Sequence, residues 1–209
     1  MSMKFTKRAL AAALAGSLLA GVAQAYEAGN WIGRVGVWGV FPKSDNLSLA
    51  NGAVLDVDNG YSLGFNLTYM ATPNIGIELL AALPFKHDIN VGALGGKVGS
   101  TSQLPPTLFV QYHFAPSSTV RPYVGVGLNY TVFFSEKTTG ALSGTNLNLG
   151  SSWGLAGQVG VDVDIAPNWF VNADLSYMDI DTKAKVNGAT LGTVNIDPVV
   201  VGINIGMRF

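Results

Sequence analysis

The 209-residue chain holds two histidines and no cysteine, so any search for chemistry starts from His87 and His113. His87 stands beside Asp88, and His113 follows Gln111 by two residues. A histidine paired with an acid and a serine could serve a lipid hydrolase or acyltransferase. No serine or other nucleophile motif stands in clear relation to either histidine. The plainer reading makes His113 a hydrogen-bonded interior residue and His87 a solvated loop residue. Gly95-Gly96-Lys97 lacks a phosphate loop's first glycine, since Val91 holds that place, and its hydroxyl, since Val98 follows the lysine. Asp56, Asp58 and Gly60 begin like a calcium loop but lack its length and closing glutamate. Sequons start at Asn46, Asn66 and Asn129, two of them inside strand-like segments. No catalytic set, metal set or cofactor motif emerges, and the chain is not expected to be an enzyme.

The elements that would position any site begin after a leader. Lys4, Lys7 and Arg8 precede an apolar run from Ala9 to about Val22, and Ala23-Gln24-Ala25 follows as a small-x-small cleavage pattern. Residues 1–25 are therefore expected to be a removed signal peptide and 26–209 the mature domain. Of 12 Lys+Arg and 13 Asp+Glu, the leader takes three basic residues, leaving 9 against 13, a formal charge of −4. No basic block remains for nucleic acid. An exported chain without cysteines must be held by its core, its sheet or a membrane.

The charged share of 12% is about half that of a typical soluble domain, yet no uninterrupted apolar run of roughly eighteen residues follows the leader. The remaining way across a membrane is a closed barrel, in which every backbone group pairs between strands. Period-two alternation recurs accordingly. Tyr61, Leu63, Phe65, Leu67 and Tyr69 form one face of a segment, and Ser62, Gly64, Asn66, Thr68 and Met70 the other. Eight such segments lie near 30–41, 60–71, 75–84, 104–114, 121–134, 152–165, 169–180 and 198–209. At roughly 3.3 Å per residue and a tilt near 40°, about eleven residues rise about 28 Å, close to the apolar band of such barrels.

Short turns near 72–74, 115–120 and 167–168 alternate with long Gly/Ser/Asn/Asp-rich stretches near 42–59, 85–103, 135–150 and 181–197. The expected fold is all-β, an eight-stranded antiparallel up-and-down transmembrane β-barrel with short periplasmic turns and long extracellular loops. Two aromatic belts agree with it. Trp31, Tyr69, Trp169 and Phe209 fall at the periplasmic ends, and Phe41, Tyr61, Phe134 and Trp153 at the outer ends.

Sorted by height, the inward residues divide in two. Arg34, Glu78, Arg121, Asp162, Asp164, Asp174 and Arg208 collect on the periplasmic side, where a charge-paired plug is expected. Trp38, Val40, Leu80, Ala82, Phe109, Phe133, Met178 and Val200 collect above, as the lining of an apolar funnel open to the outside. Pro84 ends the third segment and Pro105-Pro106 opens the fourth, at one height. Proline donates nothing to a ladder, so these segments should pair poorly there and leave a lateral gap. The alternatives are a solid structural barrel and ordinary loop punctuation.

Several stretches resemble the outer-membrane protein W (OmpW) family. They are Glu78-Leu-Leu-Ala-Ala-Leu-Pro-Phe-Lys-His-Asp88, Leu104-Pro-Pro-Thr-Leu-Phe-Val-Gln-Tyr-His113, Pro122-Tyr-Val-Gly-Val-Gly-Leu-Asn-Tyr130, Ser152-Trp-Gly-Leu-Ala-Gly157, Tyr177-Met-Asp-Ile-Asp-Thr-Lys183 and the Asp197-Pro198 pair before the last segment. The resemblance implies passive uptake of small hydrophobic molecules, as in relatives that import alkanes. It leaves open routes for small amino acids and roles as colicin receptors or stress proteins. The expected partners are outer-membrane lipid and lipopolysaccharide, the barrel-assembly machinery during biogenesis, and small hydrophobic solutes. No cofactor is implied.

Overall fold

Alternate residues that differ in greasiness can satisfy two environments only if the strand separates them, one set to each face of a sheet. The computed structural model describes residues 25–49 and 52–209. The expected leader, apart from Ala25, lies outside the described residues. Eight strands close on themselves: β1 (Trp31–Phe41), β4 (Gly60–Met70), β5 (Ile75–Ala82), β8 (Thr107–His113), β9 (Val120–Thr138), β11 (Ser152–Ala166), β12 (Trp169–Met178) and β15 (Val199–Arg208). Each pairs antiparallel with its neighbours, β15 returns to β1, and the first and last strands meet where Phe209 and Trp31 exchange backbone hydrogen bonds of 2.8 and 2.9 Å. Closure removes the open edges that a flat sheet would present to lipid.

The outward faces are apolar and exposed, as along Leu63, Phe65 and Leu67 or Ile203 and Ile205. The inward faces are buried, as with Asn66, Thr68 and Met70. The barrel is narrow enough for side chains to fill, and glycines make room for the largest of them. Trp38 lies against Gly64 and Gly202, where an added Cβ would stand 2.4 Å from Trp38 Cδ1 and 2.8 Å from Trp38 Cε2 respectively. Gly202→Val should therefore overpack the lumen and cost about 1–3 kcal/mol, read as a lower urea midpoint for the folded barrel. An unchanged midpoint would mean that the indole can move aside.

The long stretches expected to be loops are largely strands. β2 (Leu47–Ser48), β3 (Val54–Val57), β6 (Phe85–Val91) and β7 (Gly96–Leu104) extend the sheet above the barrel, in the order β9–β7–β6–β3–β2. β10 (Leu147–Leu149), β13 (Asp181–Val186) and β14 (Ala189–Asn195) form a second sheet opposite. The turn between β13 and β14 is Asn187-Gly188, both at positive φ (49° and 82°), the backbone that a tight two-residue hairpin requires. Asn195 N donates to Asn46 O at 2.9 Å, and Leu149 N to Glu136 Oε1 at 3.3 Å, so the two sheets meet at both sides. The result is a cup standing on the outer end of the barrel.

β9 spans both levels. Its 19 residues pair with β8 below and with β7 above, where the fifth expected segment stopped at 134. The third and fourth expected segments are each cut short, at Ala82 and at Thr107, because Leu83-Pro84 and Pro105-Pro106 interrupt them.

Candidate functional site

The floor of the lumen is built around one guanidinium. Arg34 comes from β1, and its Nη2 and Nε donate to Asp162 Oδ2 and Oδ1 on β11 at 2.7 and 3.1 Å. Its Nη1 donates to Glu78 Oε2 on β5 and to Thr68 Oγ1 on β4, both at 2.9 Å. All three charged side chains are fully buried. The remaining Glu78 oxygen accepts from Gln158, and Tyr26 and Asn172 add second donors to the Asp162 oxygens. Asp174 accepts from the hydroxyls of Tyr123 and Ser176 at 3.0 Å each. Such paired burial offsets the desolvation of the charges. These buried side chains fill the lumen at this height.

Nearer the periplasm, Arg121 pairs with Asp164, donates to Ser118 O at 2.8 Å, and lies 4.4 Å over the Tyr26 ring. Arg208 donates to Pro167 O at 2.9 Å. All seven residues expected on the polar side therefore stand at the barrel's lower end. His113 stands among them, with Nε2 3.2 Å from Gln111 Oε1 and its ring against Tyr26 and Tyr123.

Above the ions, Trp38, Val40, Leu80, Phe109, Met178 and Val200 are buried in a single apolar cluster, against which Ala82 and Phe133 pack. Trp38 Nε1 donates to Asn204 Oδ1 at 2.8 Å, tying this layer to the polar one beneath. Of these eight residues, Phe133 lines the cavity above, and the other seven pack beneath it rather than lining an open funnel.

That space lies higher, inside the cup. A cavity of about 220 Å³ is lined by twenty residues, sixteen of them apolar, drawn from both sheets of the cup. It exceeds the roughly 150 Å³ apolar cavity that takes up benzene in a well-studied enzyme variant. Leu94 and Leu191 line it and are themselves about two-fifths exposed, marking where the cavity meets the outer surface. No charged side chain lines it. The four polar residues are His87, Thr101, Gln103 and Thr182. A bulge sets some of them there: the β7–β9 register shifts between Ser100 and Ser102, so Val98 and, after the shift, Thr101 and Gln103 share the inner face.

His87 departs from the sequence expectation. It is 2% exposed rather than solvated, because the stretch that read as a loop is a strand with this residue on its inner side. Its Nδ1 stands 2.6 Å from the backbone oxygen of Asp58. A carbonyl only accepts, so Nδ1 carries the proton and Nε2 is a bare acceptor. Burial pushes the imidazole below its ordinary pKa, against smaller opposing pulls from the Asp58 carbonyl and the Asp58 and Asp88 carboxylates.

The wall beneath the cavity is broken where the prolines fall. The β5–β8 ladder ends at Leu80↔Thr107, and pairing resumes only at Phe85↔Gln103 between β6 and β7. Residues 81–84 thus face residues 104–106 without a ladder. The opposite side is intact: Leu104↔Val132 and Thr107↔Asn129 keep one register, and Tyr130 N donates to Pro106 O at 3.0 Å. Asn129 Nδ2 adds bonds to Pro105 O, Pro106 O and Thr107 Oγ1 at 3.3, 3.4 and 2.9 Å.

Among the described residues, one acidic trio has metal-ligand spacing: Asp179, Asp181 and Asp197 at the outer rim. Lys43 Nζ already pairs with Asp197 at 2.6 Å, and Asn195 bonds Asp181.

Comparison with known proteins gives this geometry a family. The model of the OmpW family matches residues 27–209. Outer membrane protein W of Salmonella typhi is 46% identical over 219 residues, covering 99% of each chain. The crystal structure of the outer membrane protein OprG from Pseudomonas aeruginosa superimposes with a TM-score of 0.79 at 36% identity, over 88% of this chain and 98% of that one. The dibenzothiophene metabolism operon protein PahQ of Pseudomonas aeruginosa is 27% identical, over 86% of this chain and 88% of its own. The chain belongs to the OmpW family and is an integral β-barrel of the Gram-negative outer membrane.

Proposed function

We propose that the protein is a passive channel for small hydrophobic molecules, which enter the extracellular cavity and leave sideways into the bilayer. One observation carries the reading: an uncharged, largely apolar cavity of about 220 Å³ stands directly above a lumen closed by buried ion pairs. A wet pore would do the reverse, with polar walls and an open floor. An apolar solute gains by leaving water for the cavity at about 25 cal/mol per Å² of its surface. It gains nothing by crossing the charged floor. The unladdered stretch between 81–84 and 104–106 is the way out that costs no backbone hydrogen bond. A relative named for dibenzothiophene metabolism, an apolar aromatic compound, supports the same class of cargo.

On this reading the working partners are apolar solutes, the surrounding lipid and lipopolysaccharide, and the assembly machinery that folds the barrel. Removal of residues 1–25 leaves Tyr26 as the first residue, its hydroxyl on Asp162.

The direct test is uptake of a hydrocarbon tracer into liposomes containing the folded protein, beside a charged solute of similar size. Faster entry of the tracer alone supports the channel. No difference from empty liposomes overturns it and moves the function to the outer surface of the cup. Within the channel, Pro105→Val together with Pro106→Val supplies the missing N–H donors and lets β8 run on toward β7. Tracer uptake should fall about tenfold at normal surface levels. Unchanged uptake would mean that solutes leave elsewhere.

A further inference from the structure

The cavity is built with a polar end that an alkane cannot use. Gln103 is 1% exposed and lines the cavity, yet neither its amide nitrogen nor its amide oxygen has a hydrogen-bond partner among the described residues. The Nε2 atom of His87, in the same wall, has none either. The two side chains are neighbours on one face: His87 pairs with Thr101, and Gln103 is the next residue along that face, opposite Phe85. Diagonal neighbours of this kind lie about 7–8 Å apart at Cα, with Cβ atoms closer, within the span of one bridging group. Buried donors and acceptors without partners are expensive and uncommon, and leucine at 103 would complete the apolar wall without that cost.

What the pair lacks defines what it would hold. Nε2 needs a donor, because Nδ1 holds the proton against Asp58 O. The Gln103 amide offers donors and an acceptor. A hydroxyl reaches one atom of each side chain at once, donating to Nε2 of His87 and accepting from the amide nitrogen of Gln103. A carboxylate has no proton for Nε2, and neither it nor a phosphate would meet a cation in the lining; an ammonium would meet no carboxylate. We infer that the cavity binds neutral apolar molecules bearing a single hydroxyl, alcohols or phenols, with the O–H donated to His87 Nε2 and the oxygen accepting from the Gln103 amide. The sixteen apolar residues receive the rest of the molecule. This inference rests on the cavity being the cargo site.

The experiment uses the folded, leader-free protein in lipid nanodiscs, with 1-octanol, octane and octanoate as probes. Leu and Val methyl resonances report entry into the cavity, and the imidazole nitrogen resonances report the hydrogen bond. With two histidines in the chain, His113 in the barrel floor serves as the internal reference. Octane and 1-octanol should both shift the cavity methyls, while only 1-octanol shifts His87 Nε2 and neither moves His113. Octanoate should compete with neither. In Gln103→Leu the preference for 1-octanol over octane should fall roughly tenfold, the worth of one lost hydrogen bond, with octane binding kept. His87→Phe should do the same. Methyl shifts from 1-octanol with a still Nε2 overturn the inference and leave the cargo reading standing. So does an Nε2 that is hydrogen-bonded before any probe is added and does not respond to 1-octanol, the mark of a bridging water. No methyl response to either neutral probe overturns both readings.

Discussion

Arg34→Met should lower the unfolding free energy of the barrel by about 3–5 kcal/mol, the usual cost of stranding a buried charge. The substitution leaves Glu78 and Asp162 facing each other in a lumen where both are fully buried. Gln158, Thr68, Tyr26 and Asn172 still donate to them, but neutral donors do not balance two negative charges in a low-dielectric interior. The measurement is the urea midpoint in detergent or bilayer. Adding Glu78→Gln and Asp162→Asn to Arg34→Met should recover most of the loss, because the penalty belongs to unpaired charge rather than to lost packing. A small loss in the single variant would mean that water reaches the layer and screens it. That result would also weaken the closed-floor argument on which the proposed route depends.

Ala184→Trp should cut uptake of a hydrocarbon tracer by more than tenfold while leaving the barrel folded. Ala184 is 1% exposed, lies on β13 between Leu149 of β10 and Gly192 of β14, and points into the cavity. An indole there takes up space that cargo would use. The added ring meets mostly apolar neighbours, so the stability cost should stay below that of overpacking a filled core, about 1–3 kcal/mol. The check is tracer uptake at matched amounts of folded protein, with the urea midpoint measured alongside. Wild-type uptake in a stably folded Ala184→Trp variant would show that the cavity is not on the path, and the channel reading would fail with it.

The barrel was legible because lipid and lumen impose opposite demands on neighbouring residues. A run such as Leu63, Phe65, Leu67 against Asn66, Thr68 has one physical solution, and each expected segment holds a barrel strand, the third and fourth shortened by prolines and the fifth running on into the cup. The ionic floor was legible for a related reason: Arg34, Glu78 and Asp162 share a face and a height, and buried charges need one another. The cup was not legible as structure, because its Gly, Ser, Asn and Asp content reads as turn-forming. Two signals were available there. Phe85, His87, Ile89 and Val91 alternate in period two, and Asn187-Gly188 is a strong hairpin pair. Neither would have located the cavity. The bulge near Ser100–Ser102 resets the alternation on β7, and only the paired structure shows which phase faces inward. His87 therefore passed for a loop residue, and Gln103 went unnoticed beside the prolines.

The unbroken length of β9 has a mechanical consequence. Its 19 residues bind β8 and β7 in a single register across the height of the prolines, and the side chain of Asn129 clasps the joint from the inside. Leu83 and Pro84 have no such backing on the side that faces 104–106; they are held from the other flank, where Leu83 N donates to Leu63 O at 2.8 Å. On the proposed route the slot would thus have a fixed jamb and a freer leaf: widening would be expected from the β5–β6 corner, while the β7–β8 edge stays pinned to β9.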